Sequence, residues 1–250
     1  MFSKTIEFSA PKEIRRNKSL HPVPIKFNLP DWFKKLEHKT GHRTVKGCVP
    51  FLETLITGYL LKLPQEFILK HNTFSSDNER QTQAIFPSNT VQGSEPIFAQ
   101  YNLNHQVQVH STAQLKNSPL VQKNKDLPIQ KILNPWFIKT PPGYSCMFLS
   151  PLNNSDDRFS IIPAIVNTDT FDRCINFPYI VNGDKYPVID EVVKEGTPYV
   201  QIIPFKRDNW KMTISDVSEE KLKEVTKDMY LKEKLLHTYR NIFWKKSTWN

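Results

Sequence analysis

Glycine is scarce in this chain, with 7 residues in 250 against 19 prolines. Loops that cradle phosphates are built on closely spaced glycines, and the chain has no GxGxxG, Walker A or GxSxG pattern. Cysteine is equally sparse. Cys48, Cys146 and Cys174 form an odd set without CxxC spacing, which excludes a disulfide framework and a zinc knuckle and leaves buried thiols in a reducing compartment as the expectation. No apolar run approaches the roughly 18 residues of a spanning helix, so no membrane partner is expected. The start, Met1-Phe2-Ser3-Lys4-Thr5-Ile6-Glu7, has no hydrophobic core of a secretion signal. The histidines show no HExxH or other metal spacing: His105 and His110 fall on opposite faces of one strand pattern, and His21, His38 and His42 are scattered near the N-terminus. Neither a metal nor a cofactor is therefore expected.

What the chain has in quantity is aromatic side chains, proline and positive charge at its ends. Aromatics make up 12% of residues, far above a disordered composition. The net charge of +9 is unevenly spread: residues 1–46 carry 11 Lys/Arg against 4 Asp/Glu, residues 206–250 carry 11 against 7, and the middle carries 12 against 14. Three regions follow: a basic proline-rich arm over 1–46, a β-rich core over 47–210, and an amphipathic basic helix over 211–250, expected to pack on the core. Within the arm, Pro30 precedes Trp32, Phe33 and Leu36, an amphipathic turn that reads as a docking anchor. Arg15, Arg16, Lys18, Lys34, Lys35 and Arg43 are its candidate contacts to phosphate or to an acidic partner.

Pro50 and the apolar Phe51, Leu52, Leu55 and Ile56 predict a short helix stopped at Gly58. Strands are expected over 59–63 and 66–70, then over 103–110, where Leu103, His105, Val107 and Val109 alternate with polar residues. A hairpin is expected within 71–98, and 111–134 reads as a loop-rich crossover. The densest strand signal spans 136–205, with segments at 136–139, 144–149, 159–166, 174–181, 188–193 and 199–205. Short strands at this spacing, without alternating helices, predict a mainly β (α+β) fold: a β-sandwich or β-clip-like core with one short helix in the N-terminal half and a long C-terminal helix. That helix is expected to start at the N-cap Ser218 and to run to Lys245. Asp156, Asp157, Asp169, Asp172, Asp184 and Asp190 fall mostly at expected turns, where Asp serves local hydrogen bonding.

The stretches Ile138-Lys139-Thr140-Pro141-Pro142-Gly143-Tyr144-Ser145, Ala164-Ile165-Val166-Asn167-Thr168-Asp169-Thr170-Phe171, Ile175-Asn176-Phe177-Pro178-Tyr179 and Glu195-Gly196-Thr197-Pro198-Tyr199-Val200-Gln201 resemble an uncharacterised family of tailed phages and some bacteria. That resemblance implies no activity. It does imply the cytoplasm of a bacterial host cell, or the virion, as the setting. A fainter resemblance is to the trimeric dUTPase and dCTP-deaminase group, all-β subunits that bind a nucleotide between protomers. Pro141-Pro142-Gly143-Tyr144 matches that group's turn into a core strand, and Gly196 with Gln201 matches its late Gly/Gln motif. The resemblance implies a pocket lined by Tyr144, Asp169 and Gln201. The chain departs from the group where the catalytic acid aligns with Asn167, where Ser150-Pro151-Leu152 replaces an Arg-Ser pair, and where a basic helix replaces a glycine-rich arm.

Three functions are consistent with these features. The favoured one is a non-enzymatic accessory, interaction or virion-associated protein of a phage-type genome, with a protein partner or self-association. The alternatives are a nucleotide-binding or nucleotide-processing protein on a dUTPase-like β scaffold, and a nucleic-acid binder using the basic arm.

Overall fold

Proline and turn residues cut the chain into short strands that find their partners far away in sequence. A computed structural model describes residues 4–39, 44–74, 83–85, 109–123, 127, 129–154, 156–232 and 239–250, with backbone alone for 83–85, 109–110, 112 and 227–232. The described strands are β1 (Glu7–Ser9), β2 (Val23–Pro24), β3 (Tyr59–Lys62), β4 (Phe67–Asn72), β5 (Gln83–Ile85), β6 (Val109–His110), β7 (Ile129–Ile132), β8 (Phe137–Lys139), β9 (Tyr144–Leu149), β10 (Phe159–Ile161), β11 (Ala164–Val166), β12 (Phe177–Val181), β13 (Val188–Val193) and β14 (Pro198–Lys206). All their pairings are antiparallel. They form a five-stranded sheet in the order β11-β9-β14-β3-β2, a four-stranded sheet β10-β12-β7-β6, a three-stranded sheet β13-β4-β5 and the pair β1-β8. The protein is mainly β, as its composition leads one to expect.

One core joins the sheets. Phe148 of β9 meets Phe177 of β12 with ring centroids 5.4 Å apart, Phe177 meets Tyr199 of β14 at 5.8 Å, and Phe67 of β4 meets Phe159 of β10 at 6.0 Å. Leu61, Cys146, Val200 and Ile202 complete this layer from the five-stranded sheet, each fully buried. Burying a side chain of this size contributes about 1.5–3 kcal/mol.

The N-terminal arm wraps its own body. β1 pairs with β8, and Ile14, Leu20, Ile25 and Phe33 are buried. The anchor of helix α2 (Asp31–Lys35) closes over helix α3 (Val49–Ile56): Phe33 stacks on Phe51 at 6.2 Å, and the Trp32 indole N–H donates to the Asn153 carbonyl at 3.0 Å. Before it, helix α1 (Lys12–Arg16) carries Ile14 into the core.

Several boundaries differ from expectation for physical reasons. The single strand expected over 159–166 is two, because Pro163 has no N–H to give a ladder. β10 pairs with β12, and β11 crosses to β9 in a different sheet. The crossover over 111–134 holds a short helix (Pro119–Lys123) and the buried strand β7, whose Ile129 and Ile132 are too few to show a period in the sequence. α3 begins one residue earlier than Pro50. Cys146 is buried, but Cys48, just before α3, is exposed. Of the expected strand over 103–110, only Val109–His110 lies within the described residues, and most of the expected hairpin over 71–98 lies outside them. The C-terminal helix is described over Glu219–Lys232, followed by a π-helical turn at Tyr239–Phe243. Ser218 caps it as expected, its Oγ accepting from the Lys221 N–H at 3.2 Å.

Gly58 ends α3 with a φ of +85°, and a Cβ placed there would lie 2.0 Å from the Ile202 carbonyl oxygen of β14. Helix terminus and sheet therefore touch backbone to backbone at this residue. Gly143 and Gly196 also have positive φ, but a Cβ there meets nothing within 4 Å. Gly58→Ala should destabilise the protein by about 3 kcal/mol or more in urea unfolding, and Gly143→Ala by only about 1 kcal/mol.

Candidate functional site

Tyr144, Asp169 and Gln201, the pocket residues of the dUTPase-like reading, fall at two places. The first lies where β14 leaves the sheet. The Arg207 guanidinium donates from Nη1 to the Asp169 carboxylate at 2.8 Å, to the Tyr144 carbonyl at 2.8 Å and to Ser145 Oγ at 3.0 Å, and Nη2 makes a second, shorter contact with Asp169. The Gly143 N–H donates to the same carboxylate at 2.8 Å. The Pro141-Pro142-Gly143 turn, the Asn167–Asp169 turn and the end of β14 are thus tied to one carboxylate. Asn167 itself accepts from Ser145 Oγ at 2.8 Å. Tyr144 is half-buried, with the Lys4 ammonium 5.6 Å from its ring centroid.

The second place is the middle of β14. Gln201 pairs with Leu149 of β9 while Lys206 pairs with Tyr144, so the two places are five residues apart along the ladder, about 17 Å. Gln201 is fully buried. Its amide N–H₂ donates to the carbonyls of Thr57 at 2.8 Å and Thr54 at 3.3 Å, and its oxygen accepts from the Leu152 N–H at 2.9 Å. Those carbonyls belong to the last turn of α3, where a helix leaves acceptors without partners. The structure therefore brings Tyr144 and Asp169 together and keeps Gln201 apart.

The candidate phosphate contacts also divide. Arg15 and Arg16 are exposed on α1 and Lys18 on the 3-10 turn after it, whereas Lys34 and Lys35 are exposed on α2, with Lys34 paired to Asp31 at 3.0 Å. Arg43 lies outside the described residues. No group of three or more His, Cys, Asp or Glu suited to a metal ion occurs among the described residues, and no helix among them is long and apolar enough to cross a membrane.

The feature that sequence reading passed over follows directly after Arg207. Residues 207–218 lie outside helix and strand and are exposed throughout. Trp210, Met212 and Ile214 are 91%, 83% and 90% exposed, and they alternate with Lys211, Thr213 and Ser215 in the period of a strand. That alternation was legible in the sequence, but it straddles the expected boundary between core and helix. The helix continues the exposure, with Leu222 and Val225 at 55% and 45%. Among the described residues beyond Asp208, the last ones return to the body. The Trp244 indole N–H donates to Glu53 Oε1 at 2.5 Å, the Trp249 ring meets Tyr59 edge-on at 5.9 Å, Lys26 Nζ donates to Asn250 Oδ1 at 2.9 Å, and the Tyr59 hydroxyl donates to the Asn250 carbonyl at 3.3 Å.

No protein family matches the chain, and neither a curated protein nor a solved structure shows significant similarity to it.

The Arg207 guanidinium, with the Gly143 N–H, holds the Asp169 carboxyl well below the ordinary carboxylate range. A carboxyl with a depressed folded-state pKa stabilises the fold at neutral pH, and that contribution is lost as pH falls below about 3.9, the unfolded value, toward the folded one. Asp169→Asn should therefore lower stability at neutral pH and flatten the acid limb of the stability profile below about pH 4. Urea unfolding of both forms across acid pH measures this, and an acid limb of unchanged steepness would refute the role given to Asp169.

Proposed function

We propose that this chain is a non-enzymatic assembly protein of the phage type its sequence resembles, a β body that binds protein through its C-terminal segment. In this proposal the body is a β-clip-like sandwich, and the setting is the bacterial host cytoplasm or the virion. The observation that carries the reading is the run Trp210, Met212, Ile214, three large side chains almost wholly in water at strand spacing. Covering them contributes about 1.5–3 kcal/mol each, and a period-two segment suits addition to a sheet edge or to a second such segment. The use of Asp169 to clamp two turns, and of Gln201 to cap α3, favours interaction over a nucleotide pocket.

The test places a photo-crosslinking amino acid at Met212 in the expressed full chain. A thermal-shift screen of the purified protein against nucleotides, DNA and RNA is run beside it. Discrete protein adducts, self or foreign, with no nucleotide shift are expected. A ligand at a hundred times its Kd stabilises by about 2.7 kcal/mol, so a deoxynucleotide shift without adducts would overturn the proposal in favour of the dUTPase-like reading. A salt-sensitive shift with DNA or RNA would overturn it in favour of nucleic-acid binding through Arg15, Arg16, Lys18, Lys34 and Lys35.

A further inference from the structure

The C-terminal residues and their seat form a matched pair separated by a tether. The seat consists of Glu53 on α3, Tyr59 on β3 and Lys26 in the 3-10 turn Ile25–Phe27. The tail offers a Trp244 indole N–H to the carboxylate, a Trp249 ring to the Tyr59 ring, and the Asn250 side chain and carbonyl to the ammonium and the phenol. Between them, the described residues from Asp208 to Phe243 are exposed wherever their side chains are described. The described side chains of the tether bury nothing that would hold the tail on its own body, so for those residues closing in cis costs chain entropy without compensation.

The tether is also long. Residues 208–218 span up to ~36 Å, and the 14 residues of Glu219–Lys232 add ~21 Å as a helix. A body of this size has a radius of gyration of about 17 Å. The tail can therefore reach the seat of an adjacent copy. The same contacts then form between chains, and two tethers run past each other in opposite directions about a twofold axis. Trp210, Met212, Ile214, Leu222 and Val225 of each copy then have an apolar counterpart to cover them, which the closed monomer does not supply.

We propose, building on the assembly reading above, that two copies of this chain exchange their C-terminal segments, Trp244, Trp249 and Asn250 of each occupying the Glu53, Tyr59 and Lys26 seat of the other. The occupant is a second copy because every copy carries both halves of a complementary pair, down to the indole–carboxylate and ammonium–amide contacts. A partner lacking a tail of this kind would leave Glu53 and Tyr59 without these contacts.

Trans-complementation tests it. One full-length variant has its seat altered (Lys26→Ala, Glu53→Ala, Tyr59→Phe), and a second has its tail altered (Trp244→Ala, Trp249→Ala). Tyr59→Phe keeps the ring that packs on Phe8, and circular dichroism with thermal melting checks that each variant retains the fold. In sedimentation velocity the wild type should be dimeric. The tail variant alone should associate more weakly, by about 30-fold for each aromatic anchor removed, and the seat variant by about tenfold for each charge-assisted hydrogen bond lost at Lys26 and Glu53. Their mixture should regain dimers, because one chain's intact tail meets the other's intact seat. If both variants and the mixture are monomeric while the wild type is dimeric, exchange is refuted, since restoration requires contact in trans. If both variants dimerise like wild type, the seat is refuted, and an assembly interface elsewhere on the chain remains. A wild type that is monomeric, with no adduct from the Met212 crosslinker, refutes exchange and the assembly reading together.

Discussion

Gln201 stands at the centre of β14, between Leu149 of β9 and Leu60 of β3, with its side chain turned out of the main core onto α3. Its amide supplies the donor that the last turn of α3 needs, and its oxygen takes the Leu152 N–H. Sheet, helix and loop meet at one fully buried polar side chain. Such a group is favourable only when every partner is present, since an unsatisfied buried amide or carbonyl costs about 1–3 kcal/mol. Gly58, in backbone contact with Ile202 at the next position of β14, brings the helix close enough for those bonds to form. The N-terminal arm then packs over this arrangement through Ile25 and Phe33.

The same strand also decides where the chain leaves the body. Arg207, one residue beyond β14, is held by Asp169, the Tyr144 carbonyl and Ser145, and its own N–H reaches the Gly143 carbonyl at 2.8 Å. The ladder ends there, and everything from Asp208 to Phe243 whose side chains are described lies in water. Beyond the Arg207 clamp, Trp210, Met212 and Ile214 stand in water among charged residues of both signs. The proposed assembly role and the proposed exchange of tails both rest on that exposure.

Much of the site was visible in the sequence as residues but not as roles. Asp169 and the Tyr144 carbonyl are joined through Arg207, which lies 38 residues beyond Asp169 and carries no local pattern. Gln201 sits in a run whose apolar neighbours Val200 and Ile202 mark a core strand, and only the position of α3 shows that its partners are helix carbonyls. The tail residues Trp244, Trp249 and Asn250 meet a seat assembled from Lys26, Glu53 and Tyr59, three residues with nothing in common along the chain.

By itself the sequence determined the β class, strands such as Tyr144–Leu149 and Val188–Val193, the short α3 with its Gly58 stop and the Ser218 cap, because turn residues, period-two patterns and capping groups act over a few neighbours. Tertiary structure alone decided that residues 159–166 serve two sheets, that the basic arm folds back on its own body, and that Trp210, Met212 and Ile214 remain outside it. Those outcomes depend on which distant surfaces fit one another, and pairing energy between segments remote in sequence leaves no local mark.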